Sequence, residues 1–186
     1  MLYHEVKNQI RDGDFIFFRG SALYTRVISM WTTSRYSHVA VAVWIKRRLF
    51  VAEAVEGRGV QLYPLDKYLR NGCRVDWFRL SDPRVDRSLV VKWFIDRVGN
   101  KYASPRQLLR SFVTVPIANW CGIGTKIDRD RWFCSFASVE ALRAGCGALA
   151  AEIIQEEAET ASPGDVSYIP ALHIQGTLQW ETVDHE

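Results

Sequence analysis

Short apolar runs bounded by glycine or polar turns dominate the first half of the chain, a pattern typical of buried strands. On this pattern we predict strands over 14–18, 38–44, 49–55, 59–63 and 73–80, and a last strand near 177–183. Apolar residues three or four positions apart predict helices over 22–33, 64–70, 84–98 and 134–144. Because short loops join the strands and the longer helices come later, the order indicates an α+β fold with an antiparallel sheet packed against helices.

Two of the predicted helices carry end signals that help to define them. One of them stops before Gly99, and its apolar side consists of Val90, Val91, Phe94, Ile95 and Val98. The other, over 134–144, stops before Gly145, since glycine favours the residue after a helix. We expect this second helix to pack against the sheet formed by the 38–44 and 49–55 strands.

Length and composition favour one ordinary globular domain. The chain has 186 residues, of which 48% are apolar and 24% are charged. A chain of this size can bury a single core, so we assign one domain to residues 1–186, with its core at about 11–170. The formal charge is only +3 and the basic residues are scattered. We therefore predict no nucleic-acid partner.

The sequence gives no signal for a membrane or an export route. No segment reaches the run of about 18 apolar residues that a membrane-spanning helix needs. The N-terminal residues are polar and lack the apolar core of a signal peptide. We expect a soluble protein without a transmembrane segment, cytoplasmic by default, while a role in a particle or on an envelope stays open. The oligomeric state is not indicated.

The four cysteines are Cys73, Cys121, Cys134 and Cys146. No two of them form a CxxC pair, and no histidine lies at a zinc-finger spacing from them. A disulfide framework does not suit a chain of this length without an export signal. We therefore predict free thiols, no metal site and no cofactor. Most free cysteines in proteins are buried and unreactive, so a free thiol is not by itself evidence of function.

One histidine and one glutamate stand out because each interrupts an apolar strand. His38 opens the 38–44 strand, and Glu53 lies inside the 49–55 strand, where a carboxylate needs a partner. If the two strands form a hairpin in which Trp44 faces Leu49, His38 and Glu53 lie on one face of the sheet, diagonally offset. A shorter loop would instead place Glu56 opposite His38. The alternative to a partnership with Glu53 is a structural role for His38, in which its ring is hydrogen-bonded to a backbone carbonyl.

Cys134 begins the predicted 134–144 helix. A helix N-terminus favours a thiolate, and its first backbone N–H groups can hold an oxyanion. A carboxylate that holds one imidazole nitrogen supports the role of histidine as a base. Cys134, His38 and Glu53 are therefore our candidate catalytic residues. The alternative for Cys134 is a buried, unreactive thiol beneath Trp132 and Phe133.

Five segments carry a resemblance to a known family: RDGDFIFFRG, SRYSHVAVAVW, VAEAVEGRGVQLYPL, RWFCSFASVEAL and the late SPGDVSYIP. Over roughly residues 11–170 the chain resembles the circularly permuted NlpC/papain-like amidases of the YiiX/YaeF type. In that family the motifs come in the order His, Glu, Cys. The resemblance implies a permuted papain-like fold, with His38 as the base, Glu53 as its orienting partner and Cys134 as the nucleophile.

Two positions depart from the family pattern and bear on the substrate. Phe136 stands where the family usually has an acidic residue, and Ala103 follows Tyr102 where an aspartate is common. Tyr102 is a candidate substrate-binding residue. So is Trp120, within the apolar stretch 105–124 that we expect to form a wall of the substrate cleft. The alternative for this stretch is ordinary core packing of an extra helix.

The resemblance and the three candidate residues together predict a cysteine hydrolase. It would cleave an amide bond through an acyl-thioester intermediate, with a peptide of cell-wall type as one candidate substrate. Two alternatives stay open. The same residues could serve a thioesterase or acyltransferase acting on lipid or other acyl groups, since apolar residues precede Cys134. The chain could also be a structural or assembly protein that has kept the fold without the activity.

Overall fold

The computed structural model describes residues 1–20, 35–55, 58–100, 134–158 and 160–180. These residues form six strands: β1 (Phe15–Arg19), β2 (Tyr36–Ile45), β3 (Arg48–Val55), β4 (Gly59–Pro64), β5 (Arg74–Leu80) and β6 (Leu172–Leu178). They also form six α-helices: α1 (Tyr3–Val6), α2 (Leu65–Arg70), α3 (Arg87–Ile95), α4 (Cys134–Cys146), α5 (Ala150–Ile153) and α6 (Pro163–Val166). The predicted helix over 22–33 lies outside the described residues.

The six strands form one sheet in the order β4-β3-β2-β1-β5-β6, and every neighbouring pair is antiparallel. β2 and β3 form a hairpin in which Trp44 faces Leu49 and Val41 faces Ala52. This is the register that we predicted, and the competing register based on Glu56 is wrong. The hairpin turns at Lys46, whose φ of 56° lies in the left-handed region.

Both faces of the sheet are covered, which is why its strands are apolar on both sides. On one face, Val39, Val41 and Val43 of β2 belong to the same buried cluster as α4 and the apolar side of α3. On the other face, Ala40 and Ala42 lie in a second cluster with α1 and α2. Alternate residues of one strand therefore stabilise two different layers. The predicted α+β fold, with helices packed on an antiparallel sheet, is confirmed.

α4 packs against β2, β3 and α3, as predicted for the helix that begins at Cys134. Gly145 does not end this helix, which continues to Cys146. A Cβ atom at Gly145 would lie 2.5 Å from Val90 Cγ2 and 2.8 Å from the Asp86 carbonyl oxygen. The glycine therefore allows close approach of α3 and α4, and the Asp86 N–H donates to its carbonyl at 2.9 Å.

Two further predicted elements have wrong boundaries. The helix expected over 84–98 is Arg87–Ile95, because the Asp86 side chain accepts hydrogen bonds from the first-turn N–H groups and fixes the start. Ile95 and Val98 are exposed, not on the buried side. The last strand is Leu172–Leu178 rather than 177–183. It is an edge strand with mostly exposed or half-buried residues, so its sequence lacks the expected alternation.

None of the helices in the described part of the chain combines the length and the apolar character that crossing a membrane requires.

Candidate active site

The hairpin of β2 and β3 brings His38 and Glu53 together, as the sequence predicted. His38 Nε2 lies 2.7 Å from Glu53 Oε2. The histidine is 4% exposed and the glutamate is fully buried. A buried carboxylate and imidazole satisfy each other in this way, and the bond leaves the second ring nitrogen, Nδ1, available for another partner.

Two further donors hold the other carboxylate oxygen of Glu53. The Tyr68 hydroxyl donates to Oε1 at 2.6 Å, and the Gln61 amide donates to the same oxygen at 2.9 Å. Gln61 faces Glu53 across the β3–β4 ladder, and Tyr68 comes from α2. Sequence reasoning missed both residues. The strand pairing could have indicated Gln61, but nothing in the sequence indicates the partner of the Tyr68 hydroxyl.

Cys134 reaches the same site from the opposite layer. It is the first residue of α4 and is 4% exposed. Its side chain lies close enough to the His38 ring to raise the pKa of the imidazole. His38 therefore lies between Cys134 and Glu53, and the three residues singled out in the sequence form one connected group.

The charges around His38 shift its pKa strongly. Burial lowers the pKa, but the negative charge of a Cys134 thiolate and a hydrogen bond to Cys134 raise it, and Glu53 adds to the increase. The net effect raises the pKa of His38 to about 10. The raised pKa favours the protonated imidazolium form of His38 at neutral pH.

A titration of His38 should report this arrangement. In Cys134→Ala, the charge and the hydrogen bond of the thiolate are lost while burial remains, so the pKa of His38 should fall from about 10 towards its usual range. The check is an NMR titration of the His38 Cε1–H resonance in both proteins. His173, exposed on β6, serves as the internal reference. An unchanged His38 midpoint in Cys134→Ala would contradict the contact.

A second buried carboxylate stabilises the strand ends near His38. Asp76 of β5 is fully buried and accepts hydrogen bonds from Arg19 Nε at 2.7 Å, Tyr36 Oη at 2.7 Å and Thr177 Oγ1 at 2.6 Å. Burial and the bond to Asp76 raise the pKa of Tyr36 to about 12. Tyr36 therefore stays a phenol donor at neutral pH and anchors the start of β2, two residues before His38.

Other candidate residues from the sequence have different outcomes. Phe136 is buried in the core cluster that contains α4, so an apolar side chain fits where the family usually has an acid. Tyr102, Trp120 and the whole stretch 105–124 lie outside the described residues. Their assignment to the substrate cleft stays a prediction.

A histidine held by a side-chain partner and facing a cysteine at the start of a packed helix is the arrangement of papain-like thiol enzymes. The chain belongs to the family of permuted papain-like amidases, the YaeF/YiiX, C92 family, whose model matches residues 9–148. This confirms the resemblance predicted from the sequence. The chain is accordingly a cysteine hydrolase of the amidase and peptidase type. No curated protein matches its sequence.

A solved structure supports the fold independently. The chain is similar to a crystal structure of the metalloprotein yiiX from Escherichia coli O157:H7, with a TM-score of 0.62 and 19% sequence identity. The match covers 93% of this chain and 99% of that chain. Within the parts of this chain that the structure describes, no three His, Cys, Asp or Glu side chains are grouped so that they could hold a metal ion.

Proposed function

We propose that Cys134, His38 and Glu53 act as a catalytic triad that hydrolyses an amide bond. The observation that supports this proposal is the position of His38, which is hydrogen-bonded to Glu53 at 2.7 Å and whose pKa is raised by the neighbouring Cys134. Glu53 holds Nε2, so Nδ1 is the nitrogen that serves Cys134. The chain order His, Glu, Cys is the permuted order that the resemblance implies.

The chemistry follows from these positions. A cysteine nucleophile attacks as the thiolate, which a neighbouring imidazolium favours. Attack of the Cys134 sulfur on the carbonyl carbon gives a tetrahedral oxyanion, and the first N–H groups of α4 are suited to donate hydrogen bonds to it. His38 gives its proton to the departing amine as the C–N bond breaks, leaving a thioester on Cys134. Water then attacks the thioester, His38 takes its proton, and the acid leaves as the thiolate is restored.

The substrate class that we propose is an amide in a peptide, with cell-wall peptides as the first group to test. Membership of an amidase family supports an amide. The geometry of a cysteine triad is also compatible with esters and thioesters, because all three react through the same acyl-thioester. The discriminating property is the leaving group, since an amine must be protonated by His38 as it departs.

The experiment that tests this function is a panel of peptide amide, acyl ester and acyl thioester substrates, followed by intact-mass analysis under single-turnover conditions. We expect turnover of an amide and a transient mass increase equal to the acyl group, absent in Cys134→Ala. Turnover of the thioester alone would move the assignment to a thioesterase. No acyl adduct and no turnover of any member would contradict an enzymatic role for the triad.

The third member of the triad can be tested by comparing two glutamates that are three positions apart. Glu53→Gln keeps the shape of the side chain but removes the charge that holds His38, and should lower turnover by roughly a hundredfold or more. Glu56→Gln should leave turnover unchanged. The measurement is kcat/KM for both variants. Full activity in Glu53→Gln with loss in Glu56→Gln would reverse the assignment.

A further inference from the structure

The carboxylate of Glu53 is held from two sides, and the two sides involve different oxygens. Oε2 faces His38 at 2.7 Å, whereas Oε1 accepts from Tyr68 at 2.6 Å and from Gln61 at 2.9 Å. A carboxylate on a flexible three-bond side chain could otherwise rotate. Two donors on Oε1 fix its plane and direct Oε2 at the imidazole.

Tyr68 is itself held firmly in place. It is 5% exposed, and its ring packs edge-on against Phe18 at a centroid distance of 4.8 Å. Phe18 in turn lies 5.3 Å from the His38 ring, measured between centroids. The Tyr63 ring packs on Tyr68 at 4.8 Å. The hydroxyl therefore meets Glu53 from a rigid aromatic layer that also contacts the histidine.

We propose that Tyr68 is a positioning residue of the active site, which acts through Glu53 to set the orientation of His38 towards Cys134. This inference rests on the proposed function of the triad. Gln61 supports the same oxygen from β4 with a longer hydrogen bond, 2.9 Å against 2.6 Å for Tyr68. The role is distinct from catalysis, because in this scheme Tyr68 acts through the Glu53 carboxylate and not on a reacting atom. The Tyr68 hydroxyl is thus the group through which helix α2 contacts the candidate active site.

The test compares Tyr68→Phe with the wild type and with Tyr63→Phe. Tyr68→Phe keeps the ring that packs on Phe18 but removes the donor to Glu53. Tyr63→Phe removes a hydroxyl from the neighbouring ring and leaves both bonds to Oε1 intact. Two readouts are used: the Nε2–H proton resonance of His38 by NMR, and the alkylation rate of Cys134 by iodoacetamide near pH 7. Circular dichroism checks that each variant is folded.

We expect Tyr68→Phe to shift the His38 Nε2–H resonance and to slow alkylation of Cys134 by roughly tenfold, while Tyr63→Phe changes neither. In the Glu53→Gln background, Tyr68→Phe should not lower the alkylation rate of Cys134 further, because both changes act on the same connection from Tyr68 through Glu53 to His38. If Tyr68→Phe does not fold, Gln61→Met removes the other donor to Oε1 and should shift the same resonance with a smaller loss of rate.

The outcomes separate this inference from the proposed function. An unshifted resonance with a full alkylation rate in folded Tyr68→Phe overturns the positioning role. An equal loss from Tyr68→Phe in the wild-type and Glu53→Gln backgrounds also overturns it, because the hydroxyl would then act by another route. A shifted resonance combined with a wild-type Cys134 that reacts no faster than Cys73 supports the positioning role and contradicts the proposed function.

Discussion

Replacing His38 with Ala should slow the alkylation of Cys134 by roughly a hundredfold near pH 7. The variant removes the imidazole whose pKa the neighbouring Cys134 raises. Without an imidazolium partner, the thiolate that reacts with the reagent loses its neighbouring positive charge. The measurement is peptide-resolved mass spectrometry of the modified thiol over time.

The control for this change is His173→Ala, which alters an exposed histidine on β6 and should leave the rate at Cys134 unchanged. Cys73 and Cys146 provide internal references within each sample, and their rates should be the same in all three proteins. A His38→Ala protein that is folded and alkylated at the wild-type rate would show that His38 does not activate Cys134.

Replacing Asp14 with Ala should cost about 3–5 kcal/mol of unfolding free energy, the usual cost of removing one partner of a buried ion pair. Asp14 is fully buried and accepts hydrogen bonds from Trp77 Nε1 and Arg87 Nη1, each at 2.8 Å. It also accepts from the Leu80 N–H at 3.2 Å. The alanine would leave these donors without their acceptor and loosen the connection of β1 to β5 and α3.

Denaturant unfolding followed by circular dichroism measures this cost, and Asp96→Ala is the matched control. Asp96 pairs with Lys92 on the surface of α3, where both side chains are about half exposed or more. A surface pair of this kind contributes at most about 1 kcal/mol. Similar losses in the two variants would contradict a structural role for Asp14 inside the core.

The strands of the central sheet could be predicted because burial on both faces leaves nearly continuous apolar runs. The same logic identified Glu53, since a carboxylate inside such a run needs a partner. The hairpin register followed from pairing Trp44 with Leu49, and it placed His38 on the correct face. The start of α3 could also have been predicted, because Asp86 precedes the helix as an N-cap residue.

Contacts between distant segments could not be predicted in this way. Asp14 belongs to a motif that helped to identify the family, but its partners Trp77 and Arg87 lie 63 and 73 positions further along the chain. The hydroxyl of Tyr68 meets Glu53 only because α2 folds back over the sheet. β6 was misplaced because an exposed edge strand does not need the apolar alternation by which strands are recognised.

The central claim is that Cys134 is an activated nucleophile, and its most direct test is the alkylation rate of each of the four cysteines in the wild-type protein near pH 7. Burial raises the pKa of the Cys73 and Cys146 thiols, so both should react slowly. Cys134 should be modified first, although it is 4% exposed, because it lies beside His38 at the start of α4. Equal rates at all four cysteines, or a slower rate at Cys134 than at Cys73, would contradict the account.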